Sequence, residues 1–180
     1  MKLKILILGP IMAGKTCLAN TLCDLTPSEE YNPTQGVRIV ECEHSYSVDS
    51  SKTEIELWDT SGDHKFETVW PAFQRDAHGI IFVFNSNVHN HISELLLFYD
   101  YFVTQSDLNN HKCWLIDNSK SGRGGDMTNG PTLPKQLAPL QQKKLDIQSE
   151  DDILKREFNQ FVSSLIRSVQ QSSNSVLGGL

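Results

Sequence analysis

Four cysteines in 180 residues, Cys17, Cys23, Cys42 and Cys113, form no C-x-x-C pair. That spacing argues against a disulfide framework or a zinc ribbon and for buried thiols in a reducing compartment. No apolar run approaches the ~20 residues that a bilayer-spanning helix needs. Cations are also short: 16 Lys and Arg face 22 Asp and Glu, for a net charge of −6, so no basic face argues for nucleic acid as a partner. Met1-Lys2-Leu3 runs straight into an apolar stretch, which leaves no room for a signal peptide. The last residues, Val176-Leu177-Gly178-Gly179-Leu180, carry no C-a-a-X box, and position 2 is Lys2 rather than glycine. The expectation is a cytoplasmic chain with no lipid anchor of its own. His89-Asn90-His91 has no further ligands near it in the sequence and reads as a loop or helix start rather than a metal site. No internal repeat appears, and the length suits one α/β core.

What is present begins at once. Gly9-Pro10-Ile11-Met12-Ala13-Gly14-Lys15-Thr16 is a complete G-x-x-x-x-G-K-[ST] phosphate loop. It follows the apolar run Leu3–Leu8 and precedes a helical stretch to Leu25, the strand–loop–helix context that the motif requires. Its glycines let backbone N–H groups turn inward around phosphate oxygens, and the helix N-terminus adds a favourable dipole. In this reading Gly9, Ile11, Met12, Ala13, Gly14, Lys15, Thr16 and Cys17 line the phosphates. Lys15 reaches the β- and γ-phosphates, and the Thr16 hydroxyl ligates Mg²⁺.

Periodicity and chain breakers predict strands at 3–8, 37–43, 53–58, 79–84, 113–116 and 144–148, with helices after the first, fourth and last. The alternating runs Val37–Glu43 and Thr53–Trp58, joined through Ser45–Ser51, read as an antiparallel hairpin. The fold class is α/β: a mostly parallel six-stranded sheet with one antiparallel hairpin and helices on both faces. One nucleotide-binding domain spans 1–169. Within it, about 118–142 is rich in small residues and contains Pro131, Pro134 and Pro139, which predicts a flexible loop. Ser149-Glu150-Asp151-Asp152 reads as a capping box for a final helix with Ile153, Leu154, Phe158, Phe161, Val162, Leu165, Ile166 and Val169 on one stripe. The polar tail 170–180 is expected to be disordered.

Two further motifs extend the nucleotide reading. Trp58-Asp59-Thr60-Ser61-Gly62 ends a strand with an Asp and has a Gly three residues on. The Asp59 carboxylate holds Mg²⁺ through water, and the Gly62 N–H can approach a γ-phosphate unobstructed. Thr34, after Pro33 in the connection behind the first helix, is positioned to close on Mg²⁺ and the γ-phosphate and to swing away without them. The same threonine in an ordinary loop would make only a local turn.

Together, these motifs and their order over residues 1–116 resemble the Ras/Rab small GTPases. Tyr31-Asn32-Pro33-Thr34-Gln35-Gly36-Val37-Arg38-Ile39, Glu56-Leu57-Trp58-Asp59, Lys65-Phe66-Glu67, Trp70-Pro71-Ala72 and Asp76-Ala77-His78-Gly79 are similar to the intraflagellar transport Rab-like branch. The resemblance implies a Ras-like domain that binds GTP or GDP with Mg²⁺. It further implies a place in intraflagellar transport complex B, docking on its coiled-coil subunits, at the cilium or flagellum and its basal body.

Against that family the chain departs in its catalytic and base-reading positions. Asp63 stands where a glutamine usually orients the attacking water, and its charge opposes an anionic γ-phosphate. Ile11 crowds the hydrolytic position of the phosphate loop. Slow turnover is expected, with Asp63 and Lys15 as the residues closest to catalysis. The N-K-x-D motif that reads guanine is missing from Asp117-Asn118-Ser119-Lys120-Ser121-Gly122, whether aligned on Asn118 or on Lys120. Losing its carboxylate removes a charge-assisted contact of ~1.5–3 kcal/mol. Lys120 can still stack its stem on a base, and Asp117 or a backbone group is expected to substitute in part for the carboxylate. Val37, Trp58 and Trp70 read either as partner anchors near the switch surface or as core. The functional expectation is a nucleotide-gated adaptor. A pseudo-GTPase with a purely structural role and an efficient cycling GTPase are its alternatives. A small P-loop kinase fits poorly, because the arginines are scattered.

Overall fold

In the computed structural model, the described residues are 1–26, 30, 32–45, 52–106, 108–119 and 132–177, with only the backbone described at 44, 45 and 173–177. Six strands form one sheet: β1 (Lys2–Leu8), β2 (Val37–Ser45), β3 (Lys52–Thr60), β4 (Gly79–Phe84), β5 (Cys113–Asp117) and β6 (Gln141–Lys144). Their spatial order is β2-β3-β1-β4-β5-β6. Only the β2–β3 pair is antiparallel, with Arg38 opposite Asp59. The helices are α1 (Lys15–Leu22), α2 (Trp70–Gln74), α3 (His91–Tyr99) and α4 (Asp151–Leu177), with a 3₁₀ turn at His64–Val69 and a π turn at Asp100–Thr104.

The period of two along β1 sorts its side chains onto two cores. Leu3, Ile5 and Ile7 face α1 and α4, where they meet Leu18, Ile55, Leu57, Trp114, Leu154, Phe161 and Leu165. Leu6 and Leu8 face the other side, against Trp70, Phe73, Phe82, Leu95, Phe98 and Phe102. Every residue of β4 is buried, as befits a central parallel strand covered on both faces. Parallel strands β1, β3, β4 and β5 all end at one edge of the sheet, so the loops that follow them gather there.

Several boundaries differ from the sequence expectation. The last strand lies at Gln141–Lys144, not 144–148. Polar QQKK gives no apolar alternation because this is a half-exposed edge strand. The loop expected to about 142 is structured in its final part: Leu137 and Leu140 are 0% and 4% exposed and sit in the second core. Residues 120–131 of that loop lie outside the described residues. Helix α4 begins at Asp151, so Glu150 rather than Ser149 stands at its N-cap, and its carboxylate accepts the Asp146 N–H at 2.9 Å. The backbone expected to be irregular from 170 stays helical to Leu177. Helix α1 stops at Leu22, three residues early, with Cys23 closing it. Trp70 is core, 5% exposed and ringed by Phe98, Tyr101 and Phe102. Trp58 is half-buried, with its edge on Phe73 and the Lys4 ammonium 3.7 Å from its ring centroid.

The stripe on α4 holds the first core closed. Phe161 is 1% exposed and its ring lies 5.8 Å from that of Trp114. Phe161→Ala should cost about 3–5 kcal/mol in urea unfolding, whereas Gln160→Ala, at an exposed position of the same helix, should stay within about 0.5 kcal/mol.

Candidate nucleotide site

At the carboxyl edge of the sheet, the loop between β1 and α1 folds over Val83. A Cβ at Gly9 would lie 2.0 Å from the Val83 carbonyl oxygen, so only glycine fits there. The loop, the Thr34 segment and the turn after β3 enclose a cavity of about 440 Å³. Ile11, Met12, Ala13, Gly14, Lys15, Thr16, Cys17, Thr34, Gly62 and Asp63 line it, together with Pro33, Gln35 and Lys65. Of the residues expected at the phosphates, all of these but Gly9 line the cavity; Gly9 underlies it. Lys120 falls outside the described residues.

Lys15 is 6% exposed, and its Nζ donates to the carbonyls of Gly9 and Pro10 at 2.8 and 2.7 Å. The loop's own carbonyls thus aim the ammonium across the loop. Burial pushes its pKa down to about 8, against the opposing pull of Asp59 and Glu94.

Three oxygens converge beside it. The Thr16 hydroxyl donates to Asp59 Oδ2 at 2.8 Å and lies 3.1 Å from the Thr34 hydroxyl, which is itself 3.5 Å from the same carboxylate oxygen. Asp59 is fully buried, and among the described residues its Oδ1 has no hydrogen-bond partner. Burial raises its carboxyl pKa, which the Thr16 hydrogen bond and the Arg38 guanidinium oppose. Two hydroxyls and a buried carboxylate with a spare oxygen form a hard, oxygen-only donor set of the kind that suits Mg²⁺ with its waters. A Cβ on Gly62 would meet Ile11 N at 2.4 Å and Pro10 C at 2.5 Å, so its backbone lies directly on the phosphate loop.

Asp63 is engaged elsewhere. Its Oδ1 accepts the Lys65 N–H at 3.0 Å, capping the 3₁₀ turn, and its Oδ2 pairs with Lys65 Nζ at 3.0 Å. These hydrogen bonds hold its carboxyl below the usual range. Asp117 does not fit the suggested base-reading role: it is fully buried, and its Oδ1 accepts the Ser86 N–H at 2.9 Å.

Three residues that the sequence reading left out of the site support it. Asn118 Nδ2 donates to the Ala13 carbonyl at 3.0 Å, while its Oδ1 accepts the Ile147 N–H at 3.2 Å. It ties the phosphate loop to the chain after β6, and its place directly after β5 was the available signal. Between the two open alignments of the missing motif, this favours Asn118 as the anchor. Arg38 sits opposite Asp59 on β2, with Nε 3.5 Å from Asp59 Oδ2 and a second bond to Asn20 Oδ1. His91 is 5% exposed rather than solvated: its Nδ1 accepts the Asn85 N–H at 3.1 Å, and the ring also hydrogen-bonds the Ile11 backbone.

Known proteins resemble this chain in both sequence and fold. The family model described as Ras of Complex, Roc, domain of DAPkinase matches residues 4–120. The chain is 41% identical over 175 residues to the intraflagellar transport protein 22 homolog of Bos taurus, covering 96% of this chain and 94% of that one. The GTP-bound crystal structure of T. brucei IFT22/74/81 superposes with a TM-score of 0.78 at 31% identity, covering 96% of this chain and 99% of that chain. The GDP-bound crystal structure of T. brucei IFT22 gives 0.70 at 29% identity, covering 93% and 98%.

The Lys15 environment fixes a pH dependence. Between pH about 8 and 10.5 the unfolded chain holds a proton at Lys15 that the folded chain has lost. Folding stability therefore gains a rising contribution across that window, about 1.4 kcal/mol per unit. The Cys113 thiol, raised by burial to about 12, works in the opposite sense. The quantity to measure is thus wild-type stability relative to Lys15→Met in nucleotide-free denaturation, which should rise by roughly 3 kcal/mol in favour of wild type from pH 7.5 to 11.

Proposed function

The chain belongs to the intraflagellar transport protein 22 family of small GTPases, and on that premise we propose that it is a nucleotide-gated adaptor of intraflagellar transport complex B. It binds GTP and GDP in the 440 Å³ cavity, with Lys15 at the β- and γ-phosphates. Thr16, Thr34 and, through water, Asp59 hold Mg²⁺, which when bound neutralises phosphate charge. The observation that carries the reading is Thr34: its hydroxyl stands 3.1 Å from that of Thr16 and also within reach of Asp59. This threonine therefore links the connection before β2 to the metal and γ-phosphate positions, and losing the γ-phosphate frees it. The crystal structure of T. brucei IFT22 with IFT74 and IFT81 in its GTP-bound state supports docking on subunits of the same kind. For this chain we take those subunits to be coiled coils, at the cilium or flagellum.

Hydrolysis in this reading is slow. Asp63 commits its carboxylate to the Lys65 cap, where it stands in place of the neutral amide that orients the attacking water in Ras-like enzymes. With Asn118 as the anchor of the lost motif, Ser121 stands at the position of the base-reading carboxylate. GTP then binds with one charge-assisted contact fewer, and more weakly than in relatives that keep it.

The test compares binding of purified GTP-loaded and GDP-loaded protein to the coiled-coil subunit pair. GTP-loaded wild type should bind at least tenfold tighter than GDP-loaded, and Thr34→Ala should erase the difference while leaving GDP affinity unchanged. Equal affinities for the two loaded forms of wild type would overturn the gate and leave a purely structural module. In a phosphate-release assay, Asp63→Gln should speed turnover, while loss of the cap costs about 1 kcal/mol of stability. An unchanged rate would remove the account of slow hydrolysis.

A further inference from the structure

Away from the nucleotide cavity, the fold brings two thiols together. Cys23 closes α1 as its C-cap, and Cys42 lies in β2, nineteen positions further along the chain. By the period of two, Arg38, Val40 and Cys42 share one face of β2. The end of α1 lies against that face, as the bond from Arg38 to Asn20 Oδ1 demonstrates. The side chains of Cys23 and Cys42 pack against the same core and lie within electrostatic reach of each other. Both are free and half-buried, and both pack on the core beneath α1. The nucleotide site uses neither.

We propose that Cys23 and Cys42 form a dithiol pair which a peroxide oxidises to an intramolecular disulfide, fastening the end of α1 to β2 on either side of the connection that carries Thr34. The neighbouring Cys23 lowers the Cys42 thiol from its ordinary pKa, while Cys42 raises that of Cys23. Cys42 is therefore the attacking sulfur. Its thiolate attacks one peroxide oxygen, the O–O bond breaks, and Cys42 becomes a sulfenic acid while the departing hydroxide takes up a proton as water. Cys23 then gives up its proton and attacks the Cys42 sulfur. The S–O bond breaks, a second water leaves, and the S–S bond forms. The two thiols lose two hydrogens and two electrons in total, and one hydrogen peroxide becomes two waters. Cys113, 1% exposed, is shielded from the reagent.

The cross-link restricts the unfolded chain between the two positions and so raises the melting temperature. The experiment treats the full chain with stoichiometric hydrogen peroxide, alkylates the remaining thiols, and maps peptides by mass. A Cys23–Cys42 linked peptide is expected, with Cys17 and Cys113 alkylated. Thermal unfolding should rise by several degrees, reversed by dithiothreitol and absent in Cys42→Ser. Alkylation of all four thiols, a sulfinic acid at Cys42 without a cross-link, or a link between two chains would each overturn the proposal. Should Cys42→Ser fail to fold, the wild-type peptide map decides alone.

Discussion

A carboxylate with no access to water sits at the end of β3, and the site is arranged around it. Asp59 is fully buried, so its charge needs partners at every lone pair or it will take a proton. One oxygen collects the Thr16 hydroxyl, the Thr34 hydroxyl and the Arg38 guanidinium, each from a different segment. The other oxygen has none among the described residues. A divalent cation with its water shell is the group whose charge and hydrogen-bonding reach would meet that demand. The same carboxylate draws the helix start, the strand β2 and the Thr34 connection toward one point.

The phosphate loop depends on a second set of ties. Gly9 lets the loop lie on the Val83 carbonyl, and Gly62 lets the turn after β3 lie on Ile11 and Pro10. Asn118 then joins Ala13 to the Ile147 amide, so that loops after β1, β5 and β6 move as one. His91 adds a fourth contact from the start of α3. The motif residues themselves make few of these ties. Substituting Asn118 would loosen the loop without touching a phosphate, an effect that the motif alone would not explain.

The elements that were legible in the sequence are those whose local pattern and tertiary role coincide. β4 reads as an unbroken apolar run because both its faces are covered, and α4 shows its stripe because one side meets the sheet. β6 was misplaced because an edge strand with polar side chains carries no apolar signal; its partner β5 fixes it through backbone pairing. The phosphate loop, Thr34 and Asp59 were readable from residue type and spacing. Arg38 and His91 were not, and Asn118 gave only its place after β5, because each acts through a partner distant in sequence: Asn118 reaches Ala13 105 positions away. Asp63 was legible as a departure but not as a cap, since capping depends on the turn that follows it.

These features bear on how a gate without fast chemistry could operate. A partner shifts the equilibrium between two conformations only by its difference in affinity for them. Turnover adds nothing to that difference; it sets only how long one state lasts. What such a gate requires is a segment whose position is worth different free energies with and without the γ-phosphate; in the proposed reading Thr34 fills that role, since its hydroxyl is in reach of two oxygens of the site. Residue 34 adjoins the start of β2, whose Ile39 is 47% exposed, so a change at the hydroxyl has a short path to a surface that a partner can feel. On that proposal Asp63, committed to its turn, would cost an adaptor little, because the capped turn would steady one wall of the cavity while the Thr34 segment responds to the γ-phosphate. In this sense the lost glutamine and the retained threonine are consistent, because timing by hydrolysis and recognition by state are separate demands on the same loops.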